Sequence, residues 1–110
     1  MDITISNTET YLKLGIVGDL DASSSMKLDK VLADALKDNA QNIIIDCKDL
    51  NYISSAGLGV FMSYIQDFKD NNVTFGLYNL SEKVRNVFSM LGLEKLISIF
   101  NNESDAIANI

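Results

Sequence analysis

NYISSAGLGVF, residues 51–61, sets two hydroxyls and two glycines at the point where an extended stretch gives way to a helix. Downstream, Leu58, Phe61, Met62, Ile65 and Phe68 recur three and four residues apart, the spacing of one helical face, which places the helix start near Ser55. Upstream, NIIIDC is a short unbroken apolar run, as expected of a strand that lies centrally in a sheet or is covered on both faces. Ser54 and Ser55 therefore sit at a strand-to-helix junction, where a side-chain oxygen can accept a bond from an unpaired N–H of the first helical turn. One of them is expected to be the cap.

The same alternation of short strands and helices extends in both directions. DITIS reads as an edge strand paired to YLKLGIVG, in which Leu12, Leu14 and Ile16 share one side. A turn is expected over Asp19 to Ala22, then a serine-capped helix from Ser24 to Lys37 with Leu28, Val31, Leu32, Ala35 and Leu36 on its stripe. After the central helix, VTFGLYN reads as a strand. Ser81 caps a helix carrying Val84, Val87, Phe88 and Leu91, and Gly92 stops it. LISIF is the last expected strand and ESDAIANI a short final helix. Met26, Met62 and Met90 fall at or beside helical stripes and are expected to fill gaps in the core. The pattern predicts an α/β fold over residues 1–110, one domain, with a central mixed, mostly parallel sheet of about four to five strands and about four helices.

Composition removes several classes of function. Fifteen acidic residues against nine basic ones give a net charge of −6, a field that repels phosphate backbones and anionic lipid headgroups, so no direct nucleic-acid or membrane binding is expected. A basic partner surface is compatible with that charge. The absence of histidine removes Ser-His-Asp and Cys-His catalysis and most zinc sites. Asp19, Asp21, Asp46 and Asp49 follow no known metal-loop spacing, so neither a metal nor another cofactor is expected. Cys47 ends an apolar run and reads as a buried inert thiol. No apolar run approaches a membrane span and the start is too polar for a signal peptide, which predicts a cytoplasmic protein; the sequons at Asn72, Asn79 and Asn102 then have no role.

What remains is a serine at a helix start. A helix N-terminus attracts an anion by about 0.3–2 kcal/mol, so a phosphoserine there is compatible with an intact fold. A partner pressed on the same turn would instead enclose a poorly paired dianion at a cost of at least several kcal/mol. About 5.5 kcal/mol swings an equilibrium from almost wholly bound to almost wholly free, so the physics permits one central phosphate to act as an on/off control but does not require it.

Tyr52-Ile53-Ser54-Ser55-Ala56-Gly57-Leu58-Gly59-Val60, following IIIDC and Leu50, resembles the signature of the STAS-domain anti-sigma-factor antagonists of bacterial sporulation and stress responses. Gly18-Asp19-Leu20-Asp21 is similar to that family's Gly-acid-Leu-Asp turn, and Asn79-Leu80-Ser81 through Gly92-Leu93 to its late strand and helix. The resemblance implies a binding protein, not an enzyme. Its unmodified form docks on an anti-sigma factor that is also a serine kinase and so releases a sigma factor; phosphorylation makes it let go, and a phosphatase restores it. Alignment on Gly57-Leu58-Gly59 puts the phosphate acceptor at Ser55. The family often has Asp before that serine, where this chain has Ser54, a second candidate acceptor. The resemblance also implies a partner-binding set of Asp21, Ala22, Ser23, Ser54, Ser55, Ala56, Gly57 and Leu58. Two other readings use the same turn: a sensor holding a nucleotide or other anion, which lacks a lysine-bearing phosphate loop, and a non-switching scaffold subunit in which the serines only cap helices.

Overall fold

The computed structural model describes residues 1–110. β1 (Asp2–Asn7) and β2 (Leu12–Leu20) form an antiparallel hairpin, with Ile3 opposite Ile16 and Ile5 opposite Leu14. α1 (Ser25–Lys37) returns the chain to β3 (Asn42–Asp46), which pairs in parallel with the first half of β2, Leu12 to Gly15. A tight turn follows, in which Lys48 N–H bonds Asp46 Oδ1 (2.9 Å) and Leu50 N–H bonds the Cys47 carbonyl (3.1 Å).

The chain then comes back to the same side of β2 as β4 (Leu50–Ile53), in parallel with Gly18 to Leu20. β3 and β4 thus lie end to end along one long strand. Gly18 makes this geometry possible: at φ 105° it sits in a region that glycine enters freely, and the register shifts between it and Asp19.

α2 (Ser55–Asp70), β5 (Thr74–Tyr78), α3 (Glu82–Met90), a 3-10 turn (Leu93–Lys95), β6 (Ser98–Phe100) and α4 (Glu103–Ala108) complete the chain. The sheet runs β1-β2-β3-β5-β6 with β4 on β2, all pairs parallel except the first. It is the expected mixed, mostly parallel sheet, with six strands. β4 is the addition: LNYI carries only two buried residues, Leu50 and Ile53, too few for a periodic signal.

α1, α2 and α3 share one face. Leu28, Leu32, Leu58, Phe61, Phe68, Val84 and Phe88 pack there on Leu14, Ile16, Ile43, Ile45 and Leu77. α4 covers part of the other, where Ala106 meets Ile44 and Tyr78, and Lys13 reaches Glu103 at 2.9 Å. β3 is buried on both faces, as its unbroken apolar run required.

Several expectations are corrected. β2 continues through Leu20, so the turn falls over Ala22–Ser24, because pairing with β4 extends the strand beyond its own apolar alternation. Leu96 and Ile97 precede the three-residue β6, since their N–H groups are tied back to the Leu93 carbonyl, at 2.9 Å each, in the turn that follows Gly92 (φ 70°). The methionines fill no gaps. Met26, Met62 and Met90 are 75%, 51% and 84% exposed, because each lies on the outer shoulder of its helix, beyond the arc that faces the sheet.

Candidate functional site

β2 and β4 end together. Leu20 pairs with Ile53, and the ladder closes with Ser54 N–H donating to the Leu20 carbonyl at 2.9 Å. That bond sets two turns side by side at one end of the sheet: Asp21–Ser24 leading into α1, and Ser54–Ala56 leading into α2. Crevices outside the carboxyl ends of strands are the usual sites of α/β folds, and here the adjacency comes from the long β2.

The two serines divide the work. Ser54, extended at φ −87° and ψ 171°, is the N-cap: its Oγ accepts from Gly57 N–H (3.2 Å) and its carbonyl from Leu58 N–H (3.0 Å). Ser55 is the first helical residue, is exposed, and its hydroxyl has no hydrogen-bond partner in the chain. No acidic residue lies in the first turn of α2, so nothing there neutralises the positive end of this 16-residue helix.

Gly57 is small for an internal reason. A Cβ there would stand 2.7 Å from Leu20 Cγ and 3.1 Å from Ile53 Cγ1. Leu58 is also buried, at 7% exposure. Neither offers surface, so both shape the turn from beneath. Gly59 is the opposite case: it is exposed, and an added Cβ would meet nothing within 4 Å. Ser55, Gly59 and Met62, spaced four and three apart, form one exposed line down α2.

The neighbouring turn is held by Asp21. Its Oδ1 accepts from Ser24 N–H (2.9 Å) and from the Ser23 hydroxyl (3.0 Å), while Ser24 Oγ accepts from Asp21 N–H (2.8 Å). This is a reciprocal box, and it corrects the expectation of a serine cap. Ser24 has helical dihedrals and caps nothing by its side chain, because its hydroxyl is turned back toward Asp21. The bonds from Ser24 backbone, Ser24 hydroxyl and Ser23 hydroxyl hold the Asp21 carboxyl down at about 2. Asp21, Ala22 and Ser23 are exposed, as are Ser55 and Ala56, at the end of the sheet where the Leu20–Ser54 bond brings the two turns together.

Asp46 and the cysteine are engaged elsewhere, and no cluster of acidic side chains that could hold a metal forms. Asp46 accepts from Lys48 N–H and, at 3.2 Å, from Asn79 Nδ2. Cys47 is buried and burial pushes its thiol up, which leaves it without nucleophilic character. No helix is long and apolar enough to cross a membrane.

Residues 2–106 match the STAS domain family along nearly the whole sheet and its helices. The chain belongs to that family. Among curated relatives, this STAS domain is 29% identical over 99 residues to the anti-sigma-B factor antagonist of Bacillus subtilis, covering 90% of each chain. Its fold superposes on an anti-sigma factor antagonist from Mycobacterium paratuberculosis at a TM-score of 0.90, with 16% identity over 99% of this chain and 92% of the other. It also superposes on the anti-sigma factor antagonist SpoIIAA in its unphosphorylated form at 0.82, with 20% identity over 98% and 95% of the two chains.

Sequence reading of the STAS domain missed what four residues contribute. Leu20 dictates the glycine at 57, Ser24 completes the box around Asp21, and Met26 and Met62 stand exposed on the two helices that open at the site. The Asp-x-x-Ser spacing of 21 and 24 was a usable signal for the box. Leu20 stood in the Gly-acid-Leu-Asp turn, but nothing in the local sequence marked its contact with residue 57.

Proposed function

We propose that this STAS domain is an anti-sigma-factor antagonist: unphosphorylated, it binds an anti-sigma factor with serine-kinase activity and frees a sigma factor, and phosphorylation at Ser55 ends the binding. It acts by occupancy and not by catalysis. The observation that carries the reading is the division between the serines. Ser54 Oγ is committed to the helix cap, whereas the Ser55 hydroxyl is exposed and unbonded on the first turn of α2. Ser55 is therefore the acceptor and Ser54 is not.

The docking surface is the pair of turns, with Asp21, Ala22, Ser23, Ser55 and Ala56 at its centre and the Gly59–Met62 line of α2 as its extension. A phosphate on Ser55 would sit at the positive helix end, so the fold tolerates it, but also at the middle of this surface and beside Asp21, so a partner does not. A serine phosphatase returns the protein to its binding form. The acidic balance suits an anti-sigma factor that presents cations.

Titration against the cognate anti-sigma kinase tests this. Ser55→Ala should bind within a few-fold of wild type, while Ser55→Asp should lose roughly 100-fold or more in affinity. Both should keep the wild-type melting curve. Kinase with ATP should label wild type and Ser54→Ala, and leave Ser55→Ala unlabelled. Equal binding of Ser55→Asp and wild type, with label on another residue, would refute the assignment.

A further inference from the structure

The end of the molecule remote from Ser55 carries a groove of about 550 Å³ between the β1–β2 hairpin and the last turns of α1. Leu12, Val31 and Ala35 make its floor, and Ile5, 61% exposed, stands on its strand side. Glu9, Asp34 and Asp38 stand on its rim, and no lysine or arginine lines it. Asp34 has Lys30 at 3.3 Å, but both are open to water, where such a pair is worth little. Glu9 and Asp38 have no cationic partner.

The groove runs beside an unpaired strand. β1 is the outermost strand on this side of the sheet. Thr8 N–H bonds the Tyr11 carbonyl at 2.9 Å, which fixes the phase of the hairpin ladder. By alternation, residues 2, 4 and 6 bond to β2, and the backbone groups of Ile3, Ile5 and Asn7 point outward. The strand, DITISN, contains no proline or lysine and no bulge, the usual protections of a free edge.

We propose that this edge and groove together receive an extended segment of a partner protein that carries Lys or Arg at alternate positions, added as a further strand beside β1. The dimensions agree. Asp34 in the last turns of α1 and Asp38 at its C-cap are separated by about 6 Å of rise, and alternate residues of a strand by about 6.6 Å. Two basic side chains on one face of the added strand can lay their aliphatic stems on Ile5, Val31 and Ala35 and set their charges against the two carboxylates. A second copy of this chain is the poorer occupant, because its own β1 would bring Asp2 and no cation to an acidic rim.

The test uses the full chain, labelled for amide NMR, and an acetylated, amidated hexapeptide of alternating arginine and threonine. Saturable shifts confined to Asp2–Asn7 and the second half of α1 are expected. Affinity should fall at least tenfold for the Asp34→Asn, Asp38→Asn double variant, and as far when the peptide backbone is N-methylated at alternate residues. Ile5→Pro removes an outward donor without breaking a bond to β2, and should weaken binding equally; circular dichroism checks that each variant is folded. Shifts scattered over the acidic surface, binding indifferent to N-methylation, or binding equal for a glutamate–threonine peptide would overturn the proposal. So would a dimer in sedimentation that Ile5→Lys converts to monomer, since the edge would then serve self-association.

Discussion

Gly57 and Gly59 stand two residues apart in α2 and answer to different neighbours. At Gly57 a methyl would collide with Leu20, which is wholly buried and has no room to swing aside. Gly57→Ala should therefore cost about 1–3 kcal/mol, more than the helix propensity that alanine returns. At Gly59 a methyl meets only solvent, so Gly59→Ala should stabilise the isolated domain by about 0.5–1 kcal/mol. The same methyl would stand in the proposed docking line, and binding to the anti-sigma partner should weaken as stability rises. Urea denaturation and a binding titration on the same two proteins check both signs. A Gly59→Ala variant that gains stability and binds unchanged would take α2 beyond its first turn out of the interface.

At the scale of elements, each helix at the site is started by a different device. α2 depends on Ser54, whose half-buried hydroxyl serves the Gly57 N–H, so Ser54→Ala should lower stability by about 1 kcal/mol in denaturant melts while Ser55→Ala leaves it unchanged. α1 depends on the Asp21 carboxylate. Its folded value of about 2 lies below the ordinary 3.8, so its contribution is fully present above that ordinary value and is lost as pH falls through about 2. A carboxyl-detected NMR titration should place the Asp21 midpoint near the lower value, and Ser24→Ala should raise it. A midpoint unmoved by Ser24→Ala would mean that the box is not what holds the acid ionised.

The whole molecule is a sheet with unequal faces, and its alkaline limit reports on both. On the three-helix face Tyr64 donates to Asp29 Oδ1 at 2.6 Å, joining α2 to α1, and burial followed by that bond pushes it up to about 12. On the α4 face Tyr78 is fully buried with no hydrogen-bond partner, and burial followed by the Asp46 charge also pushes it up to about 12. For both groups the folded value exceeds the ordinary 10, so the unfolded chain loses these protons first. Stability should decline as pH rises from about 10 to about 12, with tyrosinate absorbance appearing in a late step that coincides with unfolding. Tyr64→Phe should remove part of that decline.

The α/β class, the order of helices and most strands, the caps at Ser81 and in the Ser54-Ser55 pair, and the stop at Gly92 were legible in the sequence, because each rests on periodicity or on a residue's own backbone preference. Ser55 as the candidate acceptor was legible only through resemblance; locally, either serine could have capped. β4, the full length of β2, the exposure of the methionines and the reason for Gly57 were not legible. The strands and the glycine depend on contacts between residues distant in the chain, β4 on the far half of β2 and Gly57 on Leu20, and the methionines on how wide an arc of each helix the sheet covers. Only folding brings those partners within reach: resemblance grouped the Asp21 and Ser55 turns, but only the tertiary structure decided why they meet, through the pairing of Leu20 with Ile53 and the Ser54 N–H bond to the Leu20 carbonyl.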